Sequence, residues 1–120
     1  MDIESLREYC LSKPAVEETF PFGPDTLVYK VGGKIFLICS MNSEILKFNV
    51  KCDPEKAIEL RERYDCVQPG YHMNKKHWNT IMVDGTASNS LVKEWINDSY
   101  DLIVESLPAK AREQLTGKKK

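Results

Sequence analysis

Histidine is scarce in this sequence, with His72 and His77 the two in 120 residues, and none of its four cysteines forms a Cys-x-x-Cys pair. A zinc or nuclease centre needs several nitrogen, sulfur or carboxylate ligands at a recognisable spacing. His72 and His77 stand five positions apart, which shares neither a helical face nor a strand face. Cys66 precedes His72 in no known ligand pattern, and the nearest acids, Asp65 and Asp84, flank the segment rather than enter it. No metal and no cofactor is therefore expected. A cysteine–histidine dyad would have to come from Cys39, Cys52 or Cys66 with His72 or His77, and nothing in the spacing brings such a pair together. Free cysteines are more commonly core residues than nucleophiles, so all four are read as reduced thiols, mostly buried, and no enzymatic activity is expected.

Long apolar runs are also lacking. The longest, Ile35–Cys39, is five residues, against roughly 20 for a membrane span. The amino end, Met1-Asp-Ile-Glu-Ser-Leu-Arg-Glu8, has neither the basic region nor the apolar stretch of a signal peptide, which predicts a cytoplasmic protein with no membrane partner. Nor is there an excess of one charge: 17 basic and 18 acidic side chains leave a formal charge of −1. Such a balance excludes a protein that clamps polyanions with its whole surface, and any nucleic-acid contact has to come from a local patch.

What is present is the pattern of one small α+β domain. A helix over about Asp2 to Leu11 has a capping aspartate and Ile3, Leu6 and Cys10 at helical spacing. Thr19-Phe-Pro-Phe-Gly-Pro-Asp25 reads as an extended, rigid connection packed by its two aromatic rings. Three strands follow, Thr26–Val31, Lys34–Ser40 and Glu44–Lys51, the first two joined by the hairpin signal Gly32-Gly33. In the third, Leu46, Phe48 and Val50 alternate with Lys47, Asn49 and Lys51, so one face is buried and the other wet.

Asp53-Pro54-Glu55 starts a second helix that runs to about Tyr64 and buries Ala57, Leu60 and Tyr64, with Ile58 at its edge. A short strand near Val67, the turn Pro69-Gly70 and a strand from His77 to Val83 come next. The last long helix, about Ser88 to Leu107, carries a stripe of Leu91, Trp95, Ile96, Tyr100, Ile103, Val104 and Leu107, and Pro108 ends it. Ala109–Leu115 is a short helical possibility. The order α-β-β-β-α-β-β-α predicts a two-layer sandwich, a mostly antiparallel sheet with helices on one face. The domain is expected to span residues 1–116, with residues 117–120 a disordered basic tail.

The segment Pro69-Gly-Tyr-His-Met-Asn-Lys-Lys-His-Trp-Asn-Thr80 concentrates polar and aromatic side chains. A polyanion-binding reading uses Lys75, Lys76 and His77 for phosphate, Asn74 and Asn79 for hydrogen bonds, and Tyr71 or Trp78 for stacking. Lys47, Lys51 and Lys30 on the open sheet face extend that patch. The strand from His77 leaves two facings open: Ile81 and Val83 toward the helices with Trp78 on the open face, or Trp78 inward with His77 available to a partner.

Phe20-Pro-Phe-Gly-Pro-Asp25, Lys51-Cys-Asp-Pro54, the Pro69–Thr80 segment, and Ser99-Tyr-Asp-Leu-Ile-Val104 followed by Leu107-Pro108 together resemble the MmcQ/YjbR proteins of bacteria. The resemblance covers nearly the whole chain. It implies a compact two-layer domain similar to the secretion-chaperone fold, and a DNA-binding role centred on the matching positions Tyr71, His72, Asn74, Lys75, Lys76, His77 and Trp78. The chaperone-like architecture implies an alternative, a peptide or protein partner on the open sheet face or at a sheet edge, with a weak homodimer using the same surface; a small-ligand pocket under residues 69–78 is a third reading. Nucleic acid would need clustered positive charge at Lys75 and Lys76, a peptide or dimer an exposed apolar patch, and a small ligand a concavity.

Overall fold

A computed structural model describes residues 1–71 and 73–116; His72 and residues 117–120, with the expectations placed on them, lie outside the described residues. Among the described residues the elements run α1 (Ile3–Leu11), β1 (Val16–Thr19), β2 (Thr26–Val31), β3 (Lys34–Ser40), β4 (Lys47–Lys51), α2 (Pro54–Arg63), β5 (Val67–Pro69), β6 (Trp78–Met82), α3 (Asn89–Ser106) and α4 (Ala109–Thr116). The strands form one antiparallel sheet in the order β1-β2-β3-β4-β6-β5. The α+β class and the antiparallel sheet agree with the sequence reading. No helix among the described residues is long and apolar enough to cross a membrane.

Helix starts follow local chemistry. The side chains of Asp2, Asp53 and Ser88 each accept a hydrogen bond from a backbone N–H three residues on, satisfying a donor that the helix cannot. Gly32 and Gly33 hold φ of +59° and +81°, the left-handed values that the tight β2–β3 turn demands.

Three differences from the sequence reading stand out. β1 is an additional edge strand, hidden because Val-Glu-Glu-Thr contains one apolar residue. Its Glu18 points toward the helices, where Arg7 donates to both carboxylate oxygens at 2.9 and 3.0 Å and the Tyr29 hydroxyl donates at 2.7 Å. These bonds, Arg7's foremost, hold the Glu18 carboxyl below the usual carboxylate range. An inward charge on an edge strand also discourages a foreign strand from pairing there.

Second, residues 20–25 are not an extended packed connection. They make two successive turns, Gly23 N–H donating to Phe20 O and Thr26 N–H to Gly23 O, because each turn has at its second position a proline, Pro21 or Pro24, whose φ is already set. Phe20 and Phe22 are left 47% and 64% exposed instead of pinning the loop. Third, β4 starts at Lys47 rather than Glu44; residues 41–45 bend, and Leu46 rejoins the sheet by accepting from Val83 N–H at 2.8 Å. The short helical possibility at Ala109–Leu115 is borne out as α4, whose Leu115 packs on the core.

All of α1, α2 and α3 bury their apolar stripes against the same sheet face. α1 sits on β1, α2 on β5, and α3 crosses β2, β3 and β4. The core joins Leu6 and Cys10 to Tyr29, Phe36, Phe48 and Ile81 of the sheet, and to Leu60, Trp95 and Ile96. Phe36 meets Tyr100 edge-on at 5.4 Å, and Tyr64 meets Trp95 at 5.2 Å, arrangements that ring quadrupoles favour.

A bulge in β3 shapes the centre. Tyr29 pairs with Leu37 and Lys30 with Ile35, so Phe36 is the extra residue, and both Phe36 and Leu37 are fully buried. The Phe36 carbonyl accepts from the buried Ser99 hydroxyl at 2.5 Å, while Ser99 Oγ accepts from Lys51 N–H at 2.8 Å. A helix side chain thus completes the ladder where the strands part.

The four cysteines are free and buried, as read from the sequence. Burial pushes the thiols of Cys10 and Cys39 up to about 12 and that of Cys52 up to about 11. A disulfide reagent in mildly alkaline buffer should therefore leave the native protein unlabelled over minutes and label all four thiols in denaturant. Rapid labelling of any one in the native protein would contradict this burial.

Candidate binding groove on the open sheet face

The face opposite the helices is lined by Thr26, Val28 and Lys30 of β2, Ile35, Ile38 and Ser40 of β3, Lys47, Asn49 and Lys51 of β4, and Trp78, Thr80 and Met82 of β6, as the pairing of Val28 with Ile38, Ile38 with Asn49 and Asn49 with Thr80 requires. Of the two facings open for β6, the structure takes the one with Ile81 toward the helices and Trp78 on the open face. The reason is a polar contact. Asn79 turns inward with Ile81, is 1% exposed, and accepts from Arg61 Nε of α2 at 2.7 Å while donating to Ala57 O at 3.4 Å.

Arg61 organises the segment after β5. Its guanidinium also donates to the carbonyls of Lys75 and Trp78, tying the loop to α2. Asn74 Oδ1 accepts from Lys76 N–H at 2.9 Å, and Asn74 O accepts from the N–H groups of His77 and Trp78. Asn74 is therefore a turn residue with its side-chain oxygen engaged. Lys75 Nζ donates to Gly70 O at 3.2 Å, and Lys76 is exposed. Both lysines border a separate shallow hollow beside Pro54, Glu55 and Ile58. His77 is half-buried, its carbonyl accepting from Cys52 N–H at 2.8 Å.

On the open face, a groove of about 610 Å³ runs between two walls. One wall is Phe22, from the double turn after β1. The other is Tyr71 and Met73, from the segment after β5, with Ile38, Asn49 and Thr80 on the floor. Tyr71 is held there through its backbone: its N–H donates to Thr80 Oγ1 at 3.0 Å, its carbonyl accepts from Asn49 Nδ2 at 3.5 Å, and Thr80 Oγ1 donates to Asn49 Oδ1. The floor's polar groups thus satisfy one another, leaving a mainly apolar concavity beneath two exposed rings. Phe22 and Tyr71 are 64% and 67% exposed. Lys47 is the charged side chain among the described residues of the lining.

The structure therefore brings Tyr71 and Lys47 to one site and sets Lys51 and Trp78 beside each other in register on the same face. Lys75 and Lys76 lie elsewhere. Sequence reasoning missed Phe22, Ile38 and Met73 as groove residues and Arg61 as the clasp. The one signal for Phe22 was an aromatic ring held between prolines, where the backbone cannot move to bury it.

A six-stranded antiparallel sheet with helices on one face and an aromatic-walled groove on the other defines a small two-layer α+β domain with one side bare. The chain belongs to the YjbR family, whose model matches residues 11–102. It is 41% identical over 111 residues to the protein YbdF of Escherichia coli O157:H7, covering 89% of this chain and 91% of that one. It is 30% identical over 115 residues to YjbR of Escherichia coli strain K12, covering 96% and 98%. The crystal structure of Deinococcus radiodurans protein DR2400 superposes with a TM-score of 0.89 at 36% identity, covering 94% of this chain and 86% of that one. A Pseudomonas syringae crystal structure shares the fold at 24% identity and a TM-score of 0.75.

Proposed function

We propose that the chain is a non-catalytic binding module of the cytoplasm whose open-face groove receives an extended, apolar segment of a partner protein. The observation that carries this reading is the pair of exposed rings, Phe22 and Tyr71, walling an apolar concavity on the sheet face that the helices leave bare. Exposed apolar surface of this kind marks contact sites. The sheet edges are poorer candidates: β1 lies between Pro14 and Pro21 and carries two glutamates, and β5 is three residues ending in Pro69. Buried thiols with raised pKa and mutually bonded polar groups on the floor speak for binding rather than chemistry. Reduced thiols suit the cytoplasm.

The DNA-binding reading is favoured by a different observation: Lys47 and Lys51 share the open face with Trp78 and Tyr71, cations interleaved with rings on which bases stack. Titrating the labelled protein with short single- and double-stranded DNA at low and near-physiological salt, followed by amide NMR, separates the two. DNA binding predicts saturable, salt-sensitive shifts at Lys47, Lys51 and Trp78, and a salt slope flatter by about 1.4–1.8 when Lys47 and Lys51 are both replaced by alanine. The groove reading predicts no such response. It predicts instead that the neutral apolar dye N-phenyl-1-naphthylamine shifts Phe22, Ile38, Tyr71 and Met73, and that Phe22→Ser with Tyr71→Ser weakens it at least about tenfold. Dye binding unaffected by that double change would remove the groove from consideration.

A further inference from the structure

We infer that the segment docking in this groove is acidic as well as apolar, with an Asp or Glu side chain of the partner pairing with Lys47; this rests on the groove reading above. Lys47 lies at the end of β4 on the rim of the groove and is exposed. Among the described residues no carboxylate comes within ion-pair distance of it, the two ion pairs there being Arg7–Glu18 and Lys56–Asp98. The floor below is apolar at Ile35 and Ile38, and the polar groups beside it, Asn49 and Thr80, already bond to each other. Among the described residues of the lining, a ligand lying over this floor meets one unspent charge, and that charge is positive.

Charge complementarity then sets the partner's chemistry. An apolar or aromatic side chain enters between Phe22 and Tyr71, and a carboxylate nearby in sequence reaches Lys47. A basic segment would place like charges together at the rim, which specificity by repulsion disfavours. Nucleic acid offers phosphates but no apolar side chain for Ile35 and Ile38. A second copy of this chain is the remaining occupant, since Glu44 stands beside Ile45, which is 48% exposed.

Selection of random heptapeptides on the immobilised protein tests this. The wild-type groove should enrich peptides with an aromatic or large aliphatic residue within two or three positions of Asp or Glu. On Lys47→Glu protein the acidic preference should reverse to Lys or Arg, while the apolar preference stays. For a selected peptide, Lys47→Gln should weaken binding by about two- to fivefold, the range of an exposed ion pair, and added salt should erase that difference. Enrichment of apolar peptides without acidic bias, or an acidic bias that survives Lys47→Glu, overturns the inference and leaves the groove standing. Failure of Phe22→Ser with Tyr71→Ser to abolish enrichment, or no enrichment at all, overturns the groove reading itself. A concentration-dependent doubling of mass in sedimentation, lost in Lys47→Glu, would assign the site to a second copy and overturn the partner segment.

Discussion

Ser99→Ala is expected to lower the unfolding free energy by about 2–4 kcal/mol, because it orphans a buried donor and a buried acceptor together. Ser99 is fully buried in α3, and its hydroxyl stands between Phe36 O of β3 and Lys51 N–H of β4. At this point the bulge has pushed Phe36 out of register, so the two strands cannot bond each other directly. Water cannot take the place of the hydroxyl without a cavity to hold it, and alanine removes one oxygen atom, too little to make one. Ser99→Thr keeps the hydroxyl and adds a methyl group to a packed site, so its cost is one of crowding. Denaturant unfolding measures both, and amide exchange adds a local readout: Lys51 N–H should lose protection in Ser99→Ala while Val50 keeps it. A loss below about 0.5 kcal/mol, with Lys51 still protected, would mean that the bridge contributes nothing.

The same residue shows where sequence reasoning ends. Ser99 sits inside an apolar stripe, and α3 is legible from that stripe whichever partner the serine finds. Caps such as Asp2, Asp53 and Ser88 are legible because donor and acceptor lie three residues apart. Gly32-Gly33 is legible because one turn geometry demands it. β1 is not, since the inward Glu18 depends on Arg7 and Tyr29, each 11 residues away. The facing of β6 follows from Asn79, a polar residue that looks solvent-exposed until Arg61 is placed opposite it, 18 residues back. The groove divides the same way. Tyr71 and Lys47 belong to segments whose composition draws notice, whereas Phe22 and Met73 join them only when the sheet sets β2, β3, β4 and β6 side by side.

Replacing Gly70 with alanine should cost about 2–3 kcal/mol and disturb the groove as well, an effect of overpacking rather than of lost contact. A Cβ on Gly70 would stand 2.8 Å from both the Cβ and the carbonyl oxygen of Trp78 and 3.1 Å from the Cβ of Met73. None of these is the far end of a flexible side chain, so backbone has to move. That backbone is closely tied: Gly70 N–H donates to Trp78 O at 2.9 Å, and the same carbonyl accepts from Arg61. Displacement therefore passes to Tyr71, whose N–H bond to Thr80 and carbonyl bond from Asn49 fix one wall of the groove. At a temperature where Gly70→Ala protein is still almost wholly folded, N-phenyl-1-naphthylamine should bind more weakly and the amides of Tyr71 and Met73 should shift, while those of Leu27 and Ile96 stay in place. Normal dye binding at full stability would mean that the β5–β6 connection tolerates a methyl group and that Tyr71 is not set by this close approach. Weaker binding with an intact core would tie the groove wall to a single missing side chain, the one feature of Pro69-Gly70 that no other residue reproduces.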